Sequence, residues 1–233
     1  MAISFRFSRA QLKWVVMLCM LCDHFAAVFL DKDTIGYQIL RLGVGRIAFP
    51  VFCVLFVEGF FYVRNRWRHL VTLVCFACVS ELCFDLALNP GTSLIEFGHQ
   101  NVMWTWALGF LLLCTLEAMG SVVYSSFMTW FLPCCVIFSF GVLAEVVRVD
   151  YGLPGMLCVG FVYLLQKRGV AIWLRTLMTA IILCACYLTP GVFLAVLLVL
   201  LYDPKKSGKR QKWLFYWFYP VHLGVLAILR RFL

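Results

Sequence analysis

Long apolar runs, separated only by short clusters of basic residues, constrain this chain more than any other feature. With 64% of its 233 residues hydrophobic and 13% charged, it carries more apolar side chain than a water-soluble core can bury, so its solvent is lipid. Hydrocarbon offers nothing to unpaired backbone groups, and the runs are too long and too unalternating for barrel strands, which leaves helices. At about 20 residues per crossing, helices are predicted near 12–30, 39–63, 70–88, 102–118, 127–147, 152–166, 170–188, 191–203 and 213–230. The expected fold is therefore all-α: a polytopic transmembrane bundle of about nine spans, eight to ten, forming a single transmembrane domain over residues 1–233. The sixth and eighth runs are short and carry Gly152, Pro154, Gly155 and Pro190, Gly191, which predicts tilted, re-entrant or broken helices there.

The basic residues set the expected orientation. Placing the amino terminus in the cytoplasm puts Arg6, Arg9, Lys13, Arg64, Arg66, Arg68, Lys167, Arg168, Lys205, Lys206, Lys209, Arg210 and Lys212 on the cytoplasmic side. Only Lys32, Arg148, Arg230 and Arg231 fall on the other. The first run follows three basic residues and lacks a small-residue cleavage site, so it is expected to stay as the first helix of a multi-pass protein of the bacterial inner membrane. The formal charge of +9 lies in clusters between spans rather than on one polar face, which implies a lipid partner and no nucleic acid. The twelve cysteines all sit within apolar runs, so neither a disulfide framework nor a metal site is expected.

Ionisable groups at membrane depth cost on the order of 2.5–3.5 kcal/mol each and are kept where they pair or do chemistry. Counted along the helices, Asp23 and His24, Arg46, Glu81 with Asp85, Asn101 with Trp104 and Thr105, and Glu145 with Asp150 and Tyr151 fall in one leaflet, while His222 approaches the midplane. The other leaflet holds mainly Glu58, Glu117 and Arg175. This asymmetry predicts a cavity opening outward. An imidazole beside a carboxylate takes a proton from an amine or hydroxyl near neutral pH. Neighbouring helix residues diverge by about 100°, so Asp23 either orients His24 or pairs with Arg46 while His24 faces a substrate. The plainer alternative is that Arg46 pairs with Asp23 or Glu81 to hold helices together. His99 and His69 read as interfacial residues, and the run from Lys205 to Lys212 as a topology anchor or a phosphate site.

Taken in order, LKWVVMLCMLCDHF (12–25), GRIAFPVFCVLFVEGF (45–60), RNRWRHLVTLVCFACVSELCFDL (64–86), NVMWTWALG (101–109), AEVVRVDYGLPG (144–155) and WLFYWFYPVHLGVL (213–226) resemble the TraX family, integral-membrane acyltransferases related to the F-pilin acetylase. The resemblance implies transfer of acetyl from acetyl-CoA to an amine or hydroxyl of an acceptor that is a peptide, a glycan or a lipid. It implies His24 as general base, Asp23 and Arg46 as orienting or charge-stabilising partners, and Tyr219 and His222 as further site residues. Arg64, Arg66, Arg68, Lys209 and Arg210 are then expected to contact the phosphates of cytoplasmic CoA, and Arg46, Trp104 or His222 to face the developing oxyanion. Glu81, Asp85, Asn101, Trp104, Thr105, Glu145, Tyr151 and Tyr219 are expected around the acceptor. The competing expectation is a proton-coupled transporter using the same Asp, His, Arg and Glu cluster. No Gly-rich phosphate loop is present, which disfavours a kinase or a dehydrogenase. Oligomeric state is not legible in the residues.

Overall fold

Each apolar run becomes a helix. In the computed structural model, which describes residues 6–89, 98–120, 128–206 and 212–232, these are α1 (Arg9–Phe29), α2 (Ile35–Phe60), α3 (Arg66–Leu88), α4 (Val102–Met119), α5 (Met128–Val146), α6 (Gly152–Lys167), α7 (Ile172–Tyr187), α8 (Pro190–Leu200) and α9 (Lys212–Phe232). The first five are long and apolar enough to cross a membrane. α9 has 21 residues, about 31 Å at 1.5 Å per residue. The helices run alternately up and down, giving the bundle a proximal end where α1 begins and a distal end where it finishes.

Polar residues start the helices where the sequence offers them. Ser8 and Gln11 form a capping box on α1, Asn65 accepts the Arg68 amide at 2.8 Å on α3, and Asn101 accepts the Met103 amide at 2.9 Å on α4. The predicted break in the sixth run is absent: α6 is one regular helix, because Pro154 sits in its first turn, where a missing N–H leaves no bond unmade. α8 is broken as expected, with a 3-10 turn over Pro190–Phe193 leading into Leu194–Leu200. α2 is irregular where the apolar pattern predicts a plain helix. It is π-helical over Gln38–Val44 and 3-10 over Gly45–Ile47 before continuing as Ala48–Phe60.

The core fills the space between α2, α3, α4, α6 and α9 with Phe49, Val54, Ala77, Phe110, Leu112, Met156, Val159 and Leu223. Large apolar side chains such as Leu18, Phe138, Leu197 and Ile228 point outward, as a hydrocarbon solvent requires. Polar pairs stitch the proximal end. Arg175 reaches Glu58 at 3.5 Å, Lys167 reaches Glu117 at 3.3 Å, and Arg9 donates to the Leu55 carbonyl at 2.6 Å. The Phe7 and Asp203 backbones pair across the bundle's rim.

α9 lies along α3, and α5 lies tightly against α6. A Cβ on Gly160 of α6 would stand 2.5 Å from Cγ1 of Ile137, a fully buried side chain of α5, so only glycine lets these backbones approach. Gly160→Val is expected to cost about 1–3 kcal/mol through overpacking. Its thermal unfolding midpoint in detergent would fall by several degrees, and an unchanged midpoint would mean that α5 and α6 are not held at this spacing.

Candidate functional site

Two histidines from opposite ends of the chain meet inside the distal half of the bundle. His24 on α1 and His222 on α9 are both buried, with Nδ1 of His24 2.7 Å from Nε2 of His222 and the rings stacked at 4.9 Å with a 16° tilt. His222 Nδ1 lies 2.6 Å from the Phe218 carbonyl oxygen. That oxygen can only accept, so in the neutral pair His222 carries its proton on Nδ1 and accepts at Nε2. His24 must then donate from Nδ1, which leaves its Nε2 as a free lone pair. The tautomer of His24 is thus set by a second histidine and a backbone carbonyl, the role a carboxylate plays in more familiar pairs.

Two cationic groups lie near His24. Arg41 and Arg46 of α2 both lie within electrostatic range of His24 and of Asp23, and Arg46 hydrogen-bonds the Tyr151 side chain. Five residues turn a regular helix by about 140° beyond a full circle. The π-helical stretch, with its i→i+5 bonds, brings Arg41 and Arg46 back toward one face. Gly45 makes the approach possible, since a Cβ there would stand 2.5 Å from Oδ1 of Asp23. Asp23 makes no direct ion pair with either arginine, and its buried Oδ1 has no hydrogen-bond partner, as is also true of Nε of Arg41 and Nε of Arg46.

Beside Arg46 a cavity of about 390 Å³ opens at the distal end, lined by His99, Glu145, Arg148, Asp150, Tyr151 and Tyr187 among others. Its wall is the turn between α5 and α6. Arg148 and Tyr151 there have left-handed backbones, with φ of 59° and 63°, and two non-glycine residues in that region mark a held conformation. The turn is fixed by Gln100, whose backbone pairs with Arg148 and Asp150 at 2.8 and 2.9 Å. The Thr105 hydroxyl also donates to the Asp150 carbonyl. The Asp150 carboxylate accepts the Tyr151 amide at 3.0 Å and faces Nε2 of His99 at 3.7 Å. Burial raises this carboxyl above its usual range, with His99 opposing the shift.

Several residues expected in the site have other work. Glu81 accepts Nδ2 of Asn101 at 2.5 Å and Nε1 of Trp104 at 2.8 Å, clamping α3 to α4. Asp85, deeply buried, accepts Nδ2 of Asn89 at 3.2 Å near the end of α3. Glu145 is exposed and caps α6 through the Leu153 amide at 2.7 Å. Trp104 and His222, both considered as oxyanion donors, have already committed their protons to Glu81 and Phe218. Arg64, Arg66 and Arg68 are exposed at the proximal end, with Arg66 over the Phe60 ring at 4.9 Å. Lys209 and Arg210 lie outside the described residues. Asp150 lies at this end with Tyr151, as expected, and His99 is exposed at the rim, as expected, while facing Asp150. Arg41, Tyr187 and the Phe218 carbonyl carry no signal in the sequence.

A bundle of long apolar helices that buries a hydrogen-bonded histidine pair is a polytopic membrane protein. The family described as TraX protein matches residues 8–230, so the chain belongs to the TraX family. It is 28% identical, over 97% of each chain, to the probable fimbrial assembly protein FimC, serogroup H1, of Dichelobacter nodosus. No solved structure matches it.

The hydrogen-bond chain makes a direct prediction for nuclear magnetic resonance of protein with ¹⁵N-labelled histidine. Below saturation by acid, both His24 and His222 should show a protonated Nδ1 and a lone-pair Nε2. A His24 protonated at Nε2 instead would remove the free base from the site.

Proposed function

We propose that this protein is an integral-membrane acyltransferase of the bacterial inner membrane, a single domain with its amino terminus in the cytoplasm. It moves acetyl from cytoplasmic acetyl-CoA to an amine or hydroxyl of an acceptor reached from the other side or from within the bilayer. The observation that carries this reading is the His24–His222 pair, which leaves Nε2 of His24 unprotonated and buried beside two guanidinium groups. Family membership supports it, and the relative named for fimbrial assembly favours a pilin-like peptide as the acceptor over a glycan or a lipid.

In this scheme Nε2 of His24 takes the proton of the acceptor as its nitrogen or oxygen attacks the thioester carbonyl. The carbon–sulfur bond breaks, and the proton returns from His24 to the departing CoA thiolate. The charge of the imidazolium spreads through Nδ1 to His222 and the Phe218 carbonyl dipole. Asp23, within electrostatic range of Arg41 and Arg46, offsets part of their charge. The cavity beside Arg46 is the acceptor's entry, with Tyr151 and Tyr219 among the residues beside it. Arg64, Arg66 and Arg68 suit a polyanionic donor. They are exposed and form no ion pair with a carboxylate among the described residues, so their charge is available to phosphate.

Detergent-purified protein should release CoA from acetyl-CoA when offered a short peptide with a free amino terminus, a glycan or a phosphatidylethanolamine. His24→Ala should abolish turnover by at least about 10²-fold. Neutralising Arg64, Arg66 and Arg68 together should raise KM for acetyl-CoA with little change in kcat. Absence of acetyl-CoA binding and turnover in the wild type, with proton movement into liposomes, would replace this reading with a transporter.

A further inference from the structure

The acyl-transfer reading, on which this inference rests, requires a hydrogen-bond donor for the charge that develops on the thioester oxygen. Such a donor must sit in the water-excluded site, stand next to the base and have a proton not already spent. The neutral groups around His24 fail this test one after another. His222 gives its proton to the Phe218 carbonyl, Trp104 gives its proton to Glu81, Asn101 divides its amide between Ala77 and Glu81, and Thr105 donates to the Asp150 carbonyl. Tyr151 only accepts from Arg46, so its proton is not spent there, but its ring packs on Phe49 and Tyr187 in the cavity wall and makes no ring contact with His24.

Tyr219 passes it. It lies one turn before His222 on α9 and is buried, with 3% of its surface exposed. Its ring stands edge-on to both histidines, 5.9 Å from His24 and 5.7 Å from His222 between centroids. Its hydroxyl is wholly enclosed and has no hydrogen-bond partner. The oxygen faces the Val102 backbone amide at the start of α4 without reaching bonding geometry, and an amide N–H cannot accept a proton in any case. Asp150 and Tyr151, which line the cavity, are within electrostatic range of this hydroxyl. A buried hydroxyl without a partner is disfavoured relative to phenylalanine in the same space, and here it occurs beside the base.

We propose that Tyr219 is a catalytic residue, and that its hydroxyl donates a hydrogen bond to the thioester oxygen as the acceptor attacks. No covalent bond to Tyr219 forms. The oxygen gains charge as the new bond to the acceptor is made, the hydroxyl proton stays on Tyr219 throughout, and the charge collapses when CoA leaves. His24 alone handles the transferred proton.

The test compares wild type, Tyr219→Phe and His24→Ala as purified full-length protein, with CoA thiol release as the rate and desulfo-CoA as a non-reactive probe of donor binding. Tyr219→Phe should lower kcat about 10²- to 10³-fold while KM for acetyl-CoA and Kd for desulfo-CoA stay within about threefold. Replacing Tyr219 by 3,5-difluorotyrosine, which keeps the ring and the hydroxyl but makes the hydroxyl more acidic, should shift kcat and its pH profile while leaving the elution volume of the protein unchanged. This second variant also answers the case in which Tyr219→Phe misfolds. An active wild type with a Tyr219→Phe variant of equal kcat, or one impaired only in Kd, overturns the role of Tyr219 alone. A wild type that turns over no acetyl-CoA with any acceptor overturns the acyl-transfer reading and this role together.

Discussion

The hydrogen bond between His24 and His222 closes the bundle on itself, because it joins the first helix to the last across 198 positions of sequence. In hydrocarbon, each imidazole is costly without a partner, and neither ring has a partner on its own helix except the Phe218 carbonyl that His222 uses. The pair therefore dictates where α1 and α9 cross, and α9 in turn lies along α3 and ends with Arg230 on the Ala87 carbonyl at 2.9 Å. α1 must also pack on α2 closely enough for Asp23 to meet Gly45. The irregular winding of α2 is what allows both contacts at one level of the bundle.

Buried polar groups in this protein fall into two populations with different physics. Glu81 with Asn101 and Trp104, and Glu58 with Arg175, are joined donor to acceptor, and each ties two helices together. Removing one partner from such a pair strands the other in a medium of low dielectric, which is why they behave as structural clamps. The second population is incompletely matched. Asp23, Arg41, Arg46 and Tyr219 each keep a buried polar atom without a partner near the histidine pair, and Ser80, Glu81 and Arg175 keep one elsewhere, the last two on side chains that are otherwise paired. A fold tolerates unmatched groups of this kind where a substrate or a transition state completes them. The division also explains why counting ionisable residues along the helices overfilled the expected site. Glu81 and Glu145 look alike in the sequence to Asp23, but the first is a clamp and the second a helix cap.

The cavity and the histidine pair are adjacent without being the same space, and Arg46 belongs to both neighbourhoods. Its guanidinium is compensated by Asp23 of α1 and Asp150 of the turn between α5 and α6, with Tyr151 beside it as a polar partner, so the cavity floor is polar without a large net charge. The turn that carries Asp150 and Tyr151 is rigid for a loop, held by backbone pairing to Gln100, by the Thr105 hydroxyl and by two left-handed residues. A wall of this kind keeps its side chains in register with the histidines, where a mobile loop would not.

Sequence by itself determined the solvent, the helical architecture, the number of helices to a close approximation and the choice of His24, His222, Arg46 and Asp23 as residues to watch. Each of these follows from a local property: run length, hydropathy, or the cost of an ionisable side chain in lipid. It also placed the glycine and proline positions of α6 and α8, although Pro154 in a first turn continues a helix that its presence inside one would have broken. Only the tertiary structure decided which polar groups touch. The pairing of His24 with His222 joins positions too distant for any periodicity to relate, the irregular winding of α2 decides where Arg41 and Arg46 fall, and Tyr219 stands out as the neutral hydroxyl beside both histidines that has no partner. Hydrogen bonding is directional and satisfied one partner at a time, so the chemistry of this site depends on an allocation of partners that exists only once all the helices are in place.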